Sequence, residues 1–180
     1  MKHVLLGVTG SIAAYKAADI ANQLTKYGYS VDVIMTESAM KFITPLTFQS
    51  LTKRKVYTDM FEEIVPSEIK HISLAKKADV CIIAPASANM IGKLAGGIAD
   101  DFLSTVIMAV KNKPILLAPA MNTNMYENPI VQDNIQKLQR FGYGFIEPKE
   151  ALLACGDLGK GAMADVSTIV EAVKNEISEK

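Results

Sequence analysis

A few short stretches of this sequence hold the residues able to do chemistry. Cys155 stands in Ala154-Cys155-Gly156-Asp157-Leu158-Gly159-Lys160-Gly161, where glycines at 156, 159 and 161 make a flexible or tightly turning segment. A thiol on such a segment can close over a substrate and exchange a proton; an incidental surface cysteine is the plainer explanation. His71 follows Glu68 by three residues and precedes Ile72-Ser73-Leu74. An imidazole titrating at about pH 6.5 can carry a proton or orient a carboxylate, or it can simply cap a helix. In Pro119-Ala120-Met121-Asn122-Thr123-Asn124-Met125, Asn122 can donate its amide to a carboxylate or close an Asx-turn. Met125 reads as packing that can also cover a ring.

A second set of residues suits anions. Gly10 with Ser11, Thr36 with Ser38, and Ser87 with Asn89 offer small hydroxyl and amide groups. Beside a helix N-terminus such groups hold a phosphate without needing a lysine. Each is also an ordinary turn or helix cap, and Gly7-Val8-Thr9-Gly10-Ser11-Ile12 lacks the third glycine of a dinucleotide fingerprint. Together they point to a mononucleotide, and a flavin suits the deep pocket that such strand ends form. Lys53-Arg54-Lys55 reads as a solvated charge run and Asp100-Asp101 as a helix start. His3 and Cys81 read as structural.

The elements that must position these residues follow from periodicity. Nearly continuous apolar runs at 4–8, 30–35, 80–84 and 115–118 predict buried strands, with a short one at 144–146. Helical periodicity covers 12–27, 101–110 and 128–141, the last capped by Asn128 with Pro129 in its first turn. Shorter helices are predicted over 38–42, 45–51 and 72–76, and a final one capped by Ser167. The first thirty-five residues form one β-α-β unit, which crosses over right-handedly into a parallel sheet. The expected fold is a single α/β domain over 1–180, a doubly wound open parallel sheet of the Rossmann-like or flavodoxin-like three-layer kind. In it the chemistry-bearing loops gather outside the carboxyl ends of four adjacent strands.

Composition narrows the function classes. Nineteen Lys plus Arg balance nineteen Asp plus Glu, so nothing draws the chain broadly to nucleic acid or an acidic membrane surface. No apolar stretch is long enough to predict a membrane span. The two cysteines make no disulfide framework, which favours a reducing, cytoplasmic setting. Two histidines and two cysteines of different expected burial make no metal-ligand set.

The runs Gly7 through Lys16, Pro85-Ala86-Ser87-Ala88-Asn89, Pro119 through Met125 and Ala154-Cys155-Gly156-Asp157, together with His71, resemble the homo-oligomeric flavin-containing cysteine decarboxylase family over nearly the whole chain. The resemblance implies FMN at the strand ends. Gly10, Ser11 and Ile12 would form its first loop, Thr36 and Ser38 the second, and Ser87, Ala88, Asn89 and Met90 the third, with Ala120 a backbone contact near the ring. It also implies His71 as the active-site histidine, Asn122 holding the substrate carboxylate, Met125 beside it, and Cys155 as the acid on a substrate-recognition flap around 151–165.

The implied reaction is decarboxylation of 4′-phosphopantothenoylcysteine to 4′-phosphopantetheine in coenzyme A biosynthesis. FMN oxidises the thiol end to a thioaldehyde, loss of carbon dioxide leaves an enethiolate, and reduced FMN returns a hydride while Cys155 supplies the proton. A flavin at a subunit interface, trimers or dodecamers built from them, and a separate phosphopantothenate–cysteine ligase are also implied. Two positions depart from the family pattern: Met90 replaces a threonine, and Ala162 replaces a flap arginine. The alternatives are a peptidyl-cysteine decarboxylase acting on a peptide C-terminus, or a non-catalytic FMN-binding regulatory subunit. Retention of His71 and Cys155 argues against the latter.

Overall fold

The apolar runs become neighbours in one parallel sheet of a computed structural model that describes residues 1–61, 69–152 and 158–178. Strands β1 (His3–Val8), β2 (Ser30–Met35), β3 (Val56–Tyr57), β4 (Val80–Ala86), β5 (Ile115–Pro119) and β6 (Gly144–Phe145) pair in the order β3-β2-β1-β4-β5-β6. The order reverses between β1 and β4, the switch point of a Rossmann-like sheet, where ligands find a crevice.

Alternation along the strands divides the core into two layers. Leu6, Val8, Val33 and Ile82 face helices α1 (Ala14–Lys26) and α3 (Pro45–Thr52), together with the C-terminal helix over Val166–Ser178. Between the first two lies α2 (Glu37–Met40). On the opposite side, Leu5, Ile34, Cys81 and Ile83 pack with α4 (Lys70–Lys77), α5 (Ala88–Gly96) and α6 (Phe102–Ala109). After β5 come α7 (Thr123–Tyr126) and α8 (Pro129–Arg140), and Tyr126, Ile135 and Leu138 join this second layer. An antiparallel hairpin, β7 (Lys149–Leu152) and β8 (Leu158–Ala162), precedes the C-terminal helix, α9.

Several expectations hold at the level of atoms. Asn128 caps α8, its Oδ1 accepting from the Ile130 N–H at 2.9 Å, with Pro129 at the first helical position. Asp101 caps α6 in a reciprocal box with Ser104. Others need correction. β4 runs on through Pro85 to Ala86 rather than stopping at Pro85, and the Ala84–Pro85 peptide is cis. The helix α5 was not predicted, because Gly92 and Gly96 weaken the local signal; burial of Met90, Ile91 and Leu94 holds it against the sheet. α9 starts at Val166, so Ser167 lies inside it rather than capping it. β3 and β7 are too short to show a period, and β8 is interrupted by glycines.

The charge run at 53–55 is also more than a solvated face. Asp32 on β2 is 4% exposed, and its carboxylate accepts from Arg54 Nε and Lys77 Nζ, each at 2.7 Å. A carboxylate buried without those cations would be strongly destabilising. The cluster ties the β3 approach and the C-terminal end of α4 to the same strand.

Candidate functional site

A cavity of about 510 Å³ opens outside the carboxyl ends of β1, β4 and β5, within the usual size for a cofactor or small-ligand site, about 300–1,000 Å³. One wall is the head of α1. The N–H groups of Gly10, Ser11 and Ile12 donate to no protein acceptor among the described residues. The turn itself closes through Ser11, whose Oγ accepts from Ala13 N–H at 3.2 Å and whose carbonyl accepts from Ala14 N–H at 2.9 Å. Three successive open donors in the turn that leads into a thirteen-residue helix make an anion cradle, with the helix dipole adding to it. The cradle needs Gly10: a Cβ there would fall 2.5 Å from Ser38 Cβ, so the first turn of α2 closes directly against it.

Buried Thr9 fixes the neighbouring wall. Its hydroxyl donates to the Pro85 carbonyl at 2.7 Å and accepts from Ser87 N–H at 2.9 Å, tying the end of β1 to the end of β4. Ser87 in turn caps α5, its Oγ accepting from Met90 N–H at 3.3 Å. That hydroxyl keeps its own proton to donate toward the cavity.

The third wall leaves β5. Ala120 is anchored by its N–H to the Ala86 carbonyl at 3.1 Å, while Met121, Asn122 and Met125 line the cavity. Asn122 makes the Asx-turn, its Oδ1 accepting from Asn124 N–H at 2.8 Å, so the amide is oriented by its carbonyl end. Over this loop lies β8, with Gly161 accepting from Met121 N–H at 3.0 Å. A Cβ at Gly161 would sit 2.4 Å from the Met121 carbonyl oxygen, and one at Gly159 would sit 2.5 Å from Thr123 Oγ1. The two glycines let the hairpin lie flush on the Asn122 loop. Lys160 secures it from outside, paired with Glu147 at 2.7 Å and placed over the Tyr126 ring.

The structure therefore brings together Gly10, Ser11, Ile12, Ser87, Ala120, Asn122 and Met125 around one cavity. Ala88 and exposed Asn89 sit on the first turn of α5 behind Ser87 rather than in the lining. The Met90 side chain is buried in the second core layer and its N–H is taken by Ser87, so neither end reaches the cavity. Exposed Ser38 backs Gly10 from outside. Thr36 caps α2 by accepting from Ala39 N–H at 3.2 Å, and it lines a second cavity with Glu37, Asp59, Asp100 and Asp101, surroundings unsuited to an anion. His71 lies half-buried in the first turn of α4 and does not line the Asn122 cavity. Cys155 lies outside the described residues, between the two strands of the hairpin in sequence.

Sequence reasoning missed Thr9, Tyr15 and Lys16 as site residues, the last two in the cavity wall, where Gly161, Ala162 and Met163 of the expected flap also stand. A polar Thr9 ending an apolar strand was the one available signal. Burial pushes the Cys81 thiol up to about 12, as suits an inert core cysteine. Among the described residues no cluster of His, Cys, Asp and Glu could hold a metal ion, and no helix is long and apolar enough to cross a membrane.

These donors fit the phosphate end of FMN: open N–H groups at the head of α1, a hydroxyl at Ser87, and an apolar floor of Ala120 and Met121 for a ring. Comparison with known proteins points the same way. Residues 1–178 match the family model described as Flavoprotein. The chain is 52% identical over 177 residues to a probable phosphopantothenoylcysteine decarboxylase of Streptococcus mutans, covering 98% of this chain and 99% of that one. It is 50% identical over 179 residues to a coenzyme A biosynthesis bifunctional protein CoaBC of Bacillus subtilis, covering 99% of this chain but only 44% of the relative. Among solved structures it resembles the FMN binding protein AtHal3, with a TM-score of 0.89, 36% identity, and coverage of 99% and 98% of the two chains.

Proposed function

This chain belongs to the Flavoprotein family, and we propose that it is an FMN-dependent decarboxylase of 4′-phosphopantothenoylcysteine, a step of coenzyme A biosynthesis. The observation that carries the reading is the meeting, across one cavity at the switch point, of the open N–H groups of Gly10, Ser11 and Ile12 and the amide of Asn122.

Gly10, Ser11 and Ile12 would hold the FMN phosphate by main-chain donors, Ser87 Oγ would add a further donor, and Ala120 would meet the ring edge by its backbone. Bound there, FMN supplies the two-electron redox capacity that a carboxylate beside a thiol-bearing carbon lacks by itself. Asn122 orients the substrate carboxylate through its Asx-held amide. Met125 and β8 keep water from the reacting carbon. Cys155 donates its Sγ proton to the substrate carbon as product forms.

His71 belongs to the reading through assembly. Because it does not line its own subunit's cavity, we assign it to a neighbouring site in a homo-oligomer, a trimer or a dodecamer built from trimers. Exposed Ile12, Tyr15 and Met125, at 60%, 61% and 49%, give the cavity mouth an apolar rim suited to burial against a second copy. A separate phosphopantothenate–cysteine ligase would supply the substrate. The cytoplasm is the proposed setting, with Cys81 a buried free thiol.

Anaerobic mixing of the yellow holoprotein with 4′-phosphopantothenoylcysteine tests the reading. Release of carbon dioxide and 4′-phosphopantetheine is expected. Bound FMN without turnover would count against it, and activity only on a cysteine-terminal peptide would move the substrate class to peptides. Cys155→Ser should leave initial flavin reduction largely intact while product formation fails.

A further inference from the structure

Among the described residues, the cavity wall carries a single charged side chain, Lys16. It makes no ion pair among the described residues, and its ammonium lies 5.9 Å from the centroid of the adjacent Tyr15 ring. Building on the decarboxylase reading above, we propose that Lys16 binds the 4′-phosphate of the substrate and makes the enzyme selective for the phosphorylated compound.

Two phosphomonoesters would meet at this cavity, one on FMN and one on the substrate, and placement separates them. The FMN phosphate has its own cradle in the open N–H groups of Gly10, Ser11 and Ile12. Lys16 stands in the first turn of α1, four residues beyond the last donor of that cradle. The charge of Lys16 also reaches the C-terminal end of the hairpin. Asp165 is held below the usual carboxylate range first by its contact with Lys149 and, more weakly, by Lys16. Ala162 and Met163, which line the same side of the cavity, bring no charge of their own. A substrate whose carboxylate is held at Asn122 leaves its far, phosphorylated end to find a cation, and this wall offers one. Lysine serves as a point charge for a phosphate on a flexible arm, which suits the end of a long, mobile substrate.

The test compares 4′-phosphopantothenoylcysteine with its dephosphorylated analogue on the FMN-loaded oligomer. Lys16→Met, which keeps an apolar stem, should raise KM for the phosphorylated substrate about 10–100-fold, the size of one charge-assisted contact. It should change kcat/KM for the analogue less than about twofold, leave FMN content unchanged, and be largely rescued by Lys16→Arg. In the unmutated enzyme, inorganic phosphate should compete with the phosphorylated substrate but not with the analogue. Unchanged selectivity in Lys16→Met, or loss of FMN in its place, would overturn the assignment, the second result placing Lys16 on the cofactor phosphate. Equal turnover of both compounds by the unmutated enzyme would refute the role of Lys16 alone; turnover of neither would refute the decarboxylase reading on which it stands.

Discussion

Asp101 holds several groups with one carboxylate. Its Oδ1 accepts from Ser104 N–H at 2.8 Å, capping α6, and its Oδ2 pairs with Lys93 Nζ at 2.6 Å. Burial pushes this carboxyl up, but the Lys93 ammonium and the Ser104 N–H outweigh it and hold it below the ordinary value. A depressed carboxyl stabilises the fold above its unfolded pKa, and that contribution is lost as pH falls through the folded one. Asp101→Ala should therefore cost about 1–2 kcal/mol in urea unfolding at pH 7. The gap should narrow in acid below the ordinary carboxyl range, because the unmutated protein then loses the same charge. A gap of equal size in acid would contradict the electrostatic account. Residue types able to do chemistry were legible in the sequence, but their partners were not. Nothing in the order of residues says that Ser87 takes up the Met90 N–H, or that Arg54 and Lys77 meet on Asp32.

Among the elements, β8 matters most to the site. It has glycines at 159 and 161 where a side chain would collide with the loop that carries Asn122. Gly161→Ala forces a methyl group against a main-chain oxygen that cannot move without dragging Met121 and Asn122. Such overpacking costs about 1–3 kcal/mol. The expected outcome is a folded protein with normal FMN content and kcat/KM reduced about 10–100-fold, since small displacements of positioning groups are costly. Full activity would show that the hairpin's seat is not needed for turnover. The strands of the central sheet were readable because buried parallel strands are apolar runs bounded by turn residues. The hairpin was not, because its glycines serve a contact with a loop more than thirty residues earlier, and α5 was missed because its glycines hide a helix that tertiary burial stabilises.

At the scale of the whole molecule, the separation of His71 from the Asn122 cavity makes a prediction about assembly. His71→Ala and Asn122→Ala proteins should each be nearly inactive. When unfolded together, mixed in equal amounts and refolded with FMN, they should regain activity if the partner subunit's His71 completes each site. Random mixing gives each contribution intact half the time, so about a quarter of the sites should work. No recovery in mixed oligomers that retain FMN would place both residues in the same subunit's site.

Local patterns in the chain determined which segments become the central strands and which loops carry hydroxyl, amide and thiol groups, because burial period and turn chemistry act over a few residues. They also located the cavity, since a parallel α/β sheet puts its loops at one edge. Only the tertiary structure decided the membership of that cavity. It turned Lys16 inward along the wall, buried Met90, gave Thr36 to a second, acidic cavity and set His71 apart on α4. Those outcomes depend on which side of a helix meets which strand, and that is settled by packing between residues far apart in the chain.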